Sequence, residues 1–122
     1  MKSQPRVLLV EDDEINLELL TAFLEESYAV TKVRTGEEAL KTVRSSPFTI
    51  ILMDIHLGKG ISGLDAIREI RKLDQYKTIP IIAITAFNTF GDEDTFLKAG
   101  CSHYLPKPFT KGDLVNLLSR IN

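Results

Sequence analysis

Short runs of apolar residues alternate with amphipathic stretches along the whole chain. The runs predict five strands, at residues 6–10, 28–33, 48–53, 80–85 and 102–105. Each run is followed by apolar residues at helical spacing, which predicts a helix after every strand. This βαβαβαβαβα order predicts an α/β fold with helices on both faces of a parallel sheet. Five strands in a chain of this length match the flavodoxin-like (βα)5 three-layer sandwich, whose strand order is 2-1-3-4-5.

Individual residues predict where helices begin and which faces they bury. The first helix, at 14–26, carries an apolar stripe with two further leucines beside it. The stripe and its neighbours are Ile15, Leu19, Phe23, Leu20 and Leu24. Thr35 and Glu38 form a capping-box pattern at the start of the second helix. Thr110 is expected to cap the last helix, whereas the fourth, at 88–99, has a poorer helical pattern.

Composition narrows the class of protein. The 122 residues are 43% hydrophobic and 26% charged, which predicts a single globular domain over residues 1–122. A formal net charge of -2 without a basic patch argues against direct nucleic-acid binding. No apolar run is long enough to span a bilayer, no signal-peptide pattern is visible, and Cys101 has no disulfide partner. We therefore expect a cytoplasmic protein without a membrane partner.

Polar residues stand at the carboxyl ends of four predicted strands. They are Glu11-Asp12-Asp13 after the first strand, Asp54 after the third, Thr85-Ala86 after the fourth and Lys107-Pro108 after the fifth. In an open parallel sheet these ends lie at one edge, and ligands bind where the strand order reverses, between the first and third strands. Asp13 has a simpler alternative role, as the cap of the first helix.

This set of side chains suggests phosphoryl chemistry. Clustered carboxylates raise each other's pKa unless a cation lies among them, and oxygen ligands suit Mg²⁺. An aspartate beside such a cation can attack phosphorus and form an aspartyl-phosphate. Lys107, the Thr85 hydroxyl and the Ala86 N–H would then bind the phosphoryl oxygens.

Gly58, Gly60 and Gly63 form a G-x-G-x-x-G string, the pattern of dinucleotide-binding turns. A nucleotide fingerprint places its first glycine directly at a strand end, whereas Gly58 follows the predicted third strand four residues too late. Nearby acids would also face an anionic pyrophosphate. The glycines are instead expected to form a flexible loop over the site and to let the next helix begin close to the sheet.

Four segments, in this order, resemble the sequence blocks of one known family. They are LLVEDDEIN, ILMDIHLGKGISGLDAI, AITAF and AGCSHYLPKPF. The chain resembles the receiver domains of two-component response regulators, the CheY-like family, over essentially residues 5–122. It departs from the common pattern after Asp54, where Leu57-Gly58 replaces Met-Pro and the loop is one residue longer. The rigidity of this loop and its fit to partners stay open.

The resemblance implies a role for each site residue. Asp54 matches the phosphoacceptor and Lys107 the family's lysine. The implied ligands of Mg²⁺ (or Mn²⁺) are Glu11, Asp12, Asp54 and the backbone carbonyl of His56. Thr85 matches the switch hydroxyl and Tyr104 the aromatic residue that changes rotamer. A cis Lys107–Pro108 peptide bond is also implied.

The resemblance further implies a signalling role. A histidine kinase or histidine phosphotransfer protein would donate the phosphoryl group. The surface of the fourth helix, fifth strand and fifth helix would then change and control a downstream effector. Family members promote only their own phosphorylation and dephosphorylation, so no enzyme in the usual sense is expected. Members often form homodimers, which this chain could do through the same surface.

Rival functions depend on single positions. A haloacid-dehalogenase-type phosphatase needs a second acid two residues after its nucleophile, where His56 stands. An FMN-binding electron carrier needs a Ser/Thr/Gly phosphate loop after the first strand, where Glu11 and Asp12 stand. A phosphorylation-independent interaction module is disfavoured because every chemical residue is present. A receiver module of a hybrid histidine kinase stays open, and EDDEINLELL resembles such receivers.

Overall fold

A computed structural model describes residues 4–86 and 92–121. Within these ranges, five strands alternate with five α-helices, and a short 3-10 helix, Asp74–Tyr76, follows the third α-helix. The strands are β1 (Arg6–Val10), β2 (Ala29–Val33), β3 (Ile50–Asp54), β4 (Ile81–Thr85) and β5 (His103–Pro106). The helices are α1 (Glu14–Leu24), α2 (Gly36–Ser45), α3 (Gly63–Arg71), α4 (Asp92–Ala99) and α5 (Lys111–Ile121).

The five strands form one sheet in the order β2-β1-β3-β4-β5, and every neighbouring pair is parallel. The predicted order is confirmed. β1 lies between β2 and β3. The direction in which successive strands are added to the sheet therefore reverses at the β1–β3 boundary, although all the strands are parallel. Val10 pairs with Met53 across this boundary, which brings the residues that follow each strand to the same edge.

Two apolar layers enclose the sheet. Side chains of α2, α3 and α4 pack on one face, together with Leu8 and Val10 of β1. Side chains of α1 and α5 pack on the other face, with Val7 and Leu9 of the same strand. All the residues of β3 and β4 are buried, as expected for central parallel strands covered on both sides. The edge strand β2 is less buried than β3 and β4.

The buried face of α1 differs from the predicted one. Leu17, Leu20 and Leu24 face the sheet, whereas Ile15 and Leu19 are 76% and 50% exposed. The prediction that Ile15 and Leu19 lie on the inward stripe was therefore wrong. Apolar residues surround most of this helix, so helical spacing alone fits more than one face. Contact with α5 and the sheet selects the face that carries the three leucines.

Polar caps fix where the helices begin. The side chain of Asp13 accepts a hydrogen bond from the Asn16 N–H at 2.9 Å, and Thr35 accepts one from the Glu38 N–H at 3.1 Å. Thr110 caps α5 in the same way, through the Asp113 N–H. These bonds satisfy N–H groups that the first helical turn leaves without partners. Because Asp13 has this role, Glu11 and Asp12 are the acids after β1 that remain for the edge of the sheet.

Gly63 allows α3 to begin directly against β3. A Cβ atom at this position would overlap the carbonyl oxygen of Asp54 and lie 2.8 Å from the Cα of Ile55. The Gly63 N–H also donates to the Ile55 carbonyl at 3.3 Å. The expectation that a glycine lets the third helix start close to the sheet is confirmed, and the backbone of Asp54 is fixed by this contact.

The fourth helix is described from Asp92 to Ala99. The start of the helix predicted at 88–99 lies outside the described residues, as do residues 1–3 and 122. Within the described ranges, no helix combines the length and the apolar composition that crossing a membrane requires.

Gly63→Ala should destabilise the protein because its methyl group would overlap strand backbone rather than a flexible side chain. We expect the free energy of unfolding to fall by about 1–3 kcal/mol, as for other overpacked sites, measured by urea denaturation. Gly112→Ala, in the first turn of α5, is the matched control, since its nearest neighbour would be 3.6 Å away. That control should gain about 0.4–1 kcal/mol. Equal effects of the two substitutions would contradict the close approach at Gly63.

Candidate functional site

Three carboxylates meet at the carboxyl ends of β1 and β3. Glu11 and Asp12 follow β1 directly, and Asp54 is the last residue of β3. One carboxylate oxygen from each residue lies within 4.8 Å of the others. Glu11 is fully buried and Asp54 is 3% exposed, whereas Asp12 is half-buried. Parallel pairing of the two strands explains why residues separated by more than forty positions form one cluster.

A single ammonium group faces this cluster among the described residues. The Nζ atom of Lys107 lies 3.4 Å from Oε1 of Glu11 and 3.8 Å from Oδ2 of Asp54. The Lys107 backbone N–H donates to the carbonyl of Thr85 at 2.7 Å, and the Lys107–Pro108 peptide bond is cis. The lysine therefore stands on a loop that is anchored to the end of β4. Three carboxylates against one lysine leave an excess of negative charge.

The pKa of Glu11 is raised from 4.5 to about 7, first by burial and second by a hydrogen bond with the Asp54 carboxyl. The Asp13 N–H, 3.1 Å from Oε2 of Glu11, and the charge of Lys107 oppose this shift. A carboxyl group that resists ionisation beside other carboxylates lacks a counter-charge. Oxygen ligands that lack a counter-charge fit a hard divalent cation such as Mg²⁺.

The loop between β3 and α3, residues 55–62, contacts the cluster through its backbone. The His56 N–H donates to Oδ1 of Asp54 at 2.9 Å, and the Gly58 N–H donates to Oδ2 of Asp12 at 2.8 Å. The side chain of His56 is exposed. That the His56 carbonyl is a metal ligand stays a prediction. The Asp12 carbonyl accepts from the guanidinium of Arg34 at 3.0 Å.

The remaining predicted residues divide between the cluster and a more distant surface. Thr85 ends β4 and is fully buried, and Ala86 is the last described residue before the gap at 87–91. Tyr104 pairs in register with Ala83 and is 37% exposed. Its ring lies 6.1 Å from that of Phe96 in α4. Tyr104 therefore lies on the edge strand, against α4, and not among the carboxylates.

Two contacts of the loop at residues 55–62 were not predicted from the residue pattern. The backbone N–H of Gly58 holds Asp12, and the carboxylate of Glu37 accepts from the Ile61 N–H at 3.0 Å. Backbone donors leave no mark in a residue pattern. Glu37 does leave a signal in the sequence, because it is an acid in the first turn of α2.

A comparison with family models decides the family. The model described as "Response regulator receiver domain" matches residues 7–119, nearly the whole chain. The chain belongs to the response regulator receiver domain family. The resemblance inferred from the four sequence blocks is therefore confirmed, and phosphoryl acceptance is the general function of this family.

Individual relatives agree with this family. This chain is 39% identical over 105 residues to the polar-differentiation response regulator DivK of Brucella anthropi, a match that covers 85% of each protein. The receiver domain of sensor histidine kinase PA1611 from Pseudomonas aeruginosa PAO1 is 37% identical, with a TM-score of 0.89 and 98% of each chain covered. Chemotaxis protein CheY4 of Vibrio cholerae is 26% identical, with a TM-score of 0.90, over 98% of this chain and all of that one.

These matches define what the receiver domain does in general terms. Its family consists of signalling proteins rather than classical enzymes, and its members interact with histidine kinases and effectors. The PA1611 receiver domain carries a magnesium ion coordinated in its active site cleft. The flavodoxin-like fold predicted for this chain agrees with these solved structures.

The raised pKa of Glu11 predicts a pH dependence of stability in metal-free protein. The folded state favours protonated Glu11, so this group's contribution is fully present below pH 4.5 and is lost as the pH rises through about 7. At roughly 1.4 kcal/mol per pKa unit, the loss is on the order of 3 kcal/mol. The side chain in Glu11→Gln cannot ionise, so this variant should not show that loss of stability.

Urea denaturation in a chelator, at about pH 5 and about pH 8, measures this effect. Wild-type protein should lose stability relative to Glu11→Gln as the pH rises, and added Mg²⁺ should reduce the difference. Parallel pH profiles for the two proteins would contradict a raised pKa at Glu11.

Proposed function

We propose that this receiver domain accepts a phosphoryl group on Asp54 from the phosphohistidine of a histidine kinase or histidine phosphotransfer protein. The main support is the convergence of Glu11, Asp12 and Asp54 with the ammonium of Lys107. This convergence lies at the switch point of a parallel sheet, where α/β folds bind their ligands. Membership of the receiver family supports the same reaction.

The proposed ligands of a divalent cation, Mg²⁺ or Mn²⁺, are the carboxylates of Glu11, Asp12 and Asp54 and the backbone carbonyl of His56. When bound, the cation supplies positive charge to the carboxylates and to the phosphoryl oxygens. The excess of carboxylates over lysine and the raised pKa of Glu11 both support a cation here. The similar PA1611 receiver domain, with magnesium in its cleft, supports Mg²⁺ in particular.

In the proposed reaction, a carboxylate oxygen of Asp54 attacks the phosphorus of the phosphohistidine. An O–P bond forms, the P–N bond breaks, and the imidazole leaves with the electron pair. The His56 N–H donates to Oδ1 of Asp54 at 2.9 Å, and the Lys107 ammonium pairs with Oδ2 at 3.8 Å. Lys107, the Thr85 hydroxyl and the Ala86 N–H bind the transferred oxygens, because phosphoryl transfer depends chiefly on placing such donors.

Phosphorylation would then bias a surface some distance from Asp54. We propose that the phosphoryl group attracts Thr85 and that Tyr104 changes rotamer in response. Tyr104 is partly exposed and contacts Phe96 of α4, so its movement would alter the surface formed by α4, β5 and α5. A local change of charge that shifts the population of two states is sufficient for this response. A downstream effector, or a second copy of the chain, would recognise the changed surface.

The proposed setting is cytoplasmic, either as a free-standing regulator or as a receiver domain attached to a histidine kinase. A regulator of similar length, DivK, and a kinase-borne receiver domain, that of PA1611, are about equally similar to this chain. The proposed phosphoacceptor unit covers residues 1–122.

Intact mass after incubation with a small acyl-phosphate donor tests the proposal. Wild-type protein should gain one phosphoryl group in the presence of Mg²⁺, because Asp54 is the proposed nucleophile. The gain should disappear when Mg²⁺ is replaced by a chelator and in Asp54→Asn. Asp65→Asn is a matched control, since this exposed acid in α3 pairs with Arg68 and should not affect phosphorylation.

Absence of a phosphoryl adduct under every condition would contradict the proposal and favour a phosphorylation-independent interaction module. An adduct that persists in Asp54→Asn would assign the phosphoacceptor to another residue.

A further inference from the structure

We propose that Glu37 is a positioning residue for the cation site, acting through the loop of residues 55–62. Glu37 lies in the first turn of α2 and contributes no ligand to the cluster. Its carboxylate instead accepts a hydrogen bond from Ile61 of the loop, and Gly58 of the same loop donates to the carboxylate of Asp12. The inference rests on the proposed function, because it concerns the same cation site.

Ile61 contacts the first turn of α2 through both its backbone N–H and its side chain. The Ile61 N–H donates to Oε2 of Glu37 at 3.0 Å. The side chain of Ile61 is partly buried and lies over Gly36, where an added Cβ atom would stand 2.6 Å from Cγ1 of Ile61. Gly36 and Glu37 thus both contact Ile61. Gly36 packs against its side chain, and Glu37 accepts a hydrogen bond from its backbone N–H.

Gly60 lets the loop approach Glu37 closely. Its φ angle is +75°, a left-handed conformation that glycine adopts without strain. A Cβ atom at Gly60 would overlap the Glu37 carboxylate. The backbone therefore turns directly against the acid, and a side chain at this position would displace the Glu37 carboxylate.

Gly58, in the same loop as Ile61, contacts the proposed cation site. The Gly58 N–H donates to Oδ2 of Asp12 at 2.8 Å, and a Cβ atom at Gly58 would lie 2.9 Å from the same oxygen. Only two residues separate Gly58 from Ile61. A displacement at Ile61 therefore moves Gly58, and with it the donor that orients Asp12.

Asp12 depends on this donor more than its neighbours do. Glu11 and Asp54 are buried and are both held by Lys107, and each also accepts a backbone N–H from a residue two positions further along the chain. Asp12 is half-buried, and Gly58 is the donor that holds its carboxylate. Release of the loop should therefore affect Asp12 first and weaken the cation site.

Glu38 separates this role from that of an ordinary acid at a helix start. It is the next residue of the same turn and has the same charge, but it pairs with Thr35 in the capping box, at 3.2 Å. An effect of negative charge on the site or on the helix dipole would appear at both positions. An effect through the loop would appear at Glu37 alone.

The test compares Glu37→Ala, Glu37→Gln and Glu38→Ala with the wild-type protein. Titration calorimetry with Mg²⁺ measures affinity, and amide hydrogen exchange at Gly58 and Ile61 in a chelator measures the clamp without metal. A net hydrogen bond of this exposed kind corresponds to about a three- to tenfold change in an equilibrium constant. Glu37→Ala should weaken Mg²⁺ binding and accelerate both amides by that factor. Glu37→Gln keeps an acceptor oxygen and should stay near wild type, as should Glu38→Ala.

Three outcomes would overturn the inference. Wild-type affinity in Glu37→Ala would remove the role of Glu37 while leaving the proposed function intact. Equal weakening in all three variants would assign the effect to charge and not to the loop. A wild-type protein that binds no Mg²⁺ would overturn the proposed metal site and this role together. Loss of affinity in Glu37→Ala alone, with faster exchange at Gly58, supports the clamp.

Discussion

Parallel pairing of β1 with β3 is the constraint on which the rest of the structure depends. The pairing ends with Val10 beside Met53, so Glu11 and Asp54 follow at adjacent positions of one edge. The strands that bring these acids together are buried on both faces, and their apolar residues stabilise the pairing by removing surface from water. The favourable burial of the strands thus offsets the cost of bringing two buried carboxylates together.

The electrostatics of this edge follow from the same pairing. Three carboxylates share one ammonium, that of Lys107, and burial leaves Glu11 reluctant to ionise. The site is therefore incomplete without further positive charge, whether from a metal ion or from protons. A surface cluster of acids would be screened by water and salt, whereas this one lies where screening is weak. The fold holds the acids in place, and so their repulsion is available to favour a cation.

The sheet order and the acidic edge could be predicted because both follow from period and position in the chain. Alternating apolar runs predict parallel strands, and the residues after Val10 and Met53 then share an edge. The buried face of α1 could not be predicted in the same way, because apolar residues surround that helix and Ile15 fits a stripe as well as Leu17 does. Contacts of the loop, such as that of Gly58 with Asp12, depend on backbone donors whose direction is set only by the folded chain.

The loop after Asp54 contains Leu57-Gly58 where many relatives of this family carry Met-Pro. A proline restricts its own backbone by covalent geometry, and that restriction survives when neighbouring structure loosens. Here the glycine-rich loop is ordered by contacts with the first turn of α2, through Ile61 on Gly36 and Glu37. The order of the loop is thus a tertiary property, and local opening of α2 would release it. In this receiver domain, fraying at the start of α2, a helix that contributes no carboxylate to the cluster, would release the donor that orients Asp12.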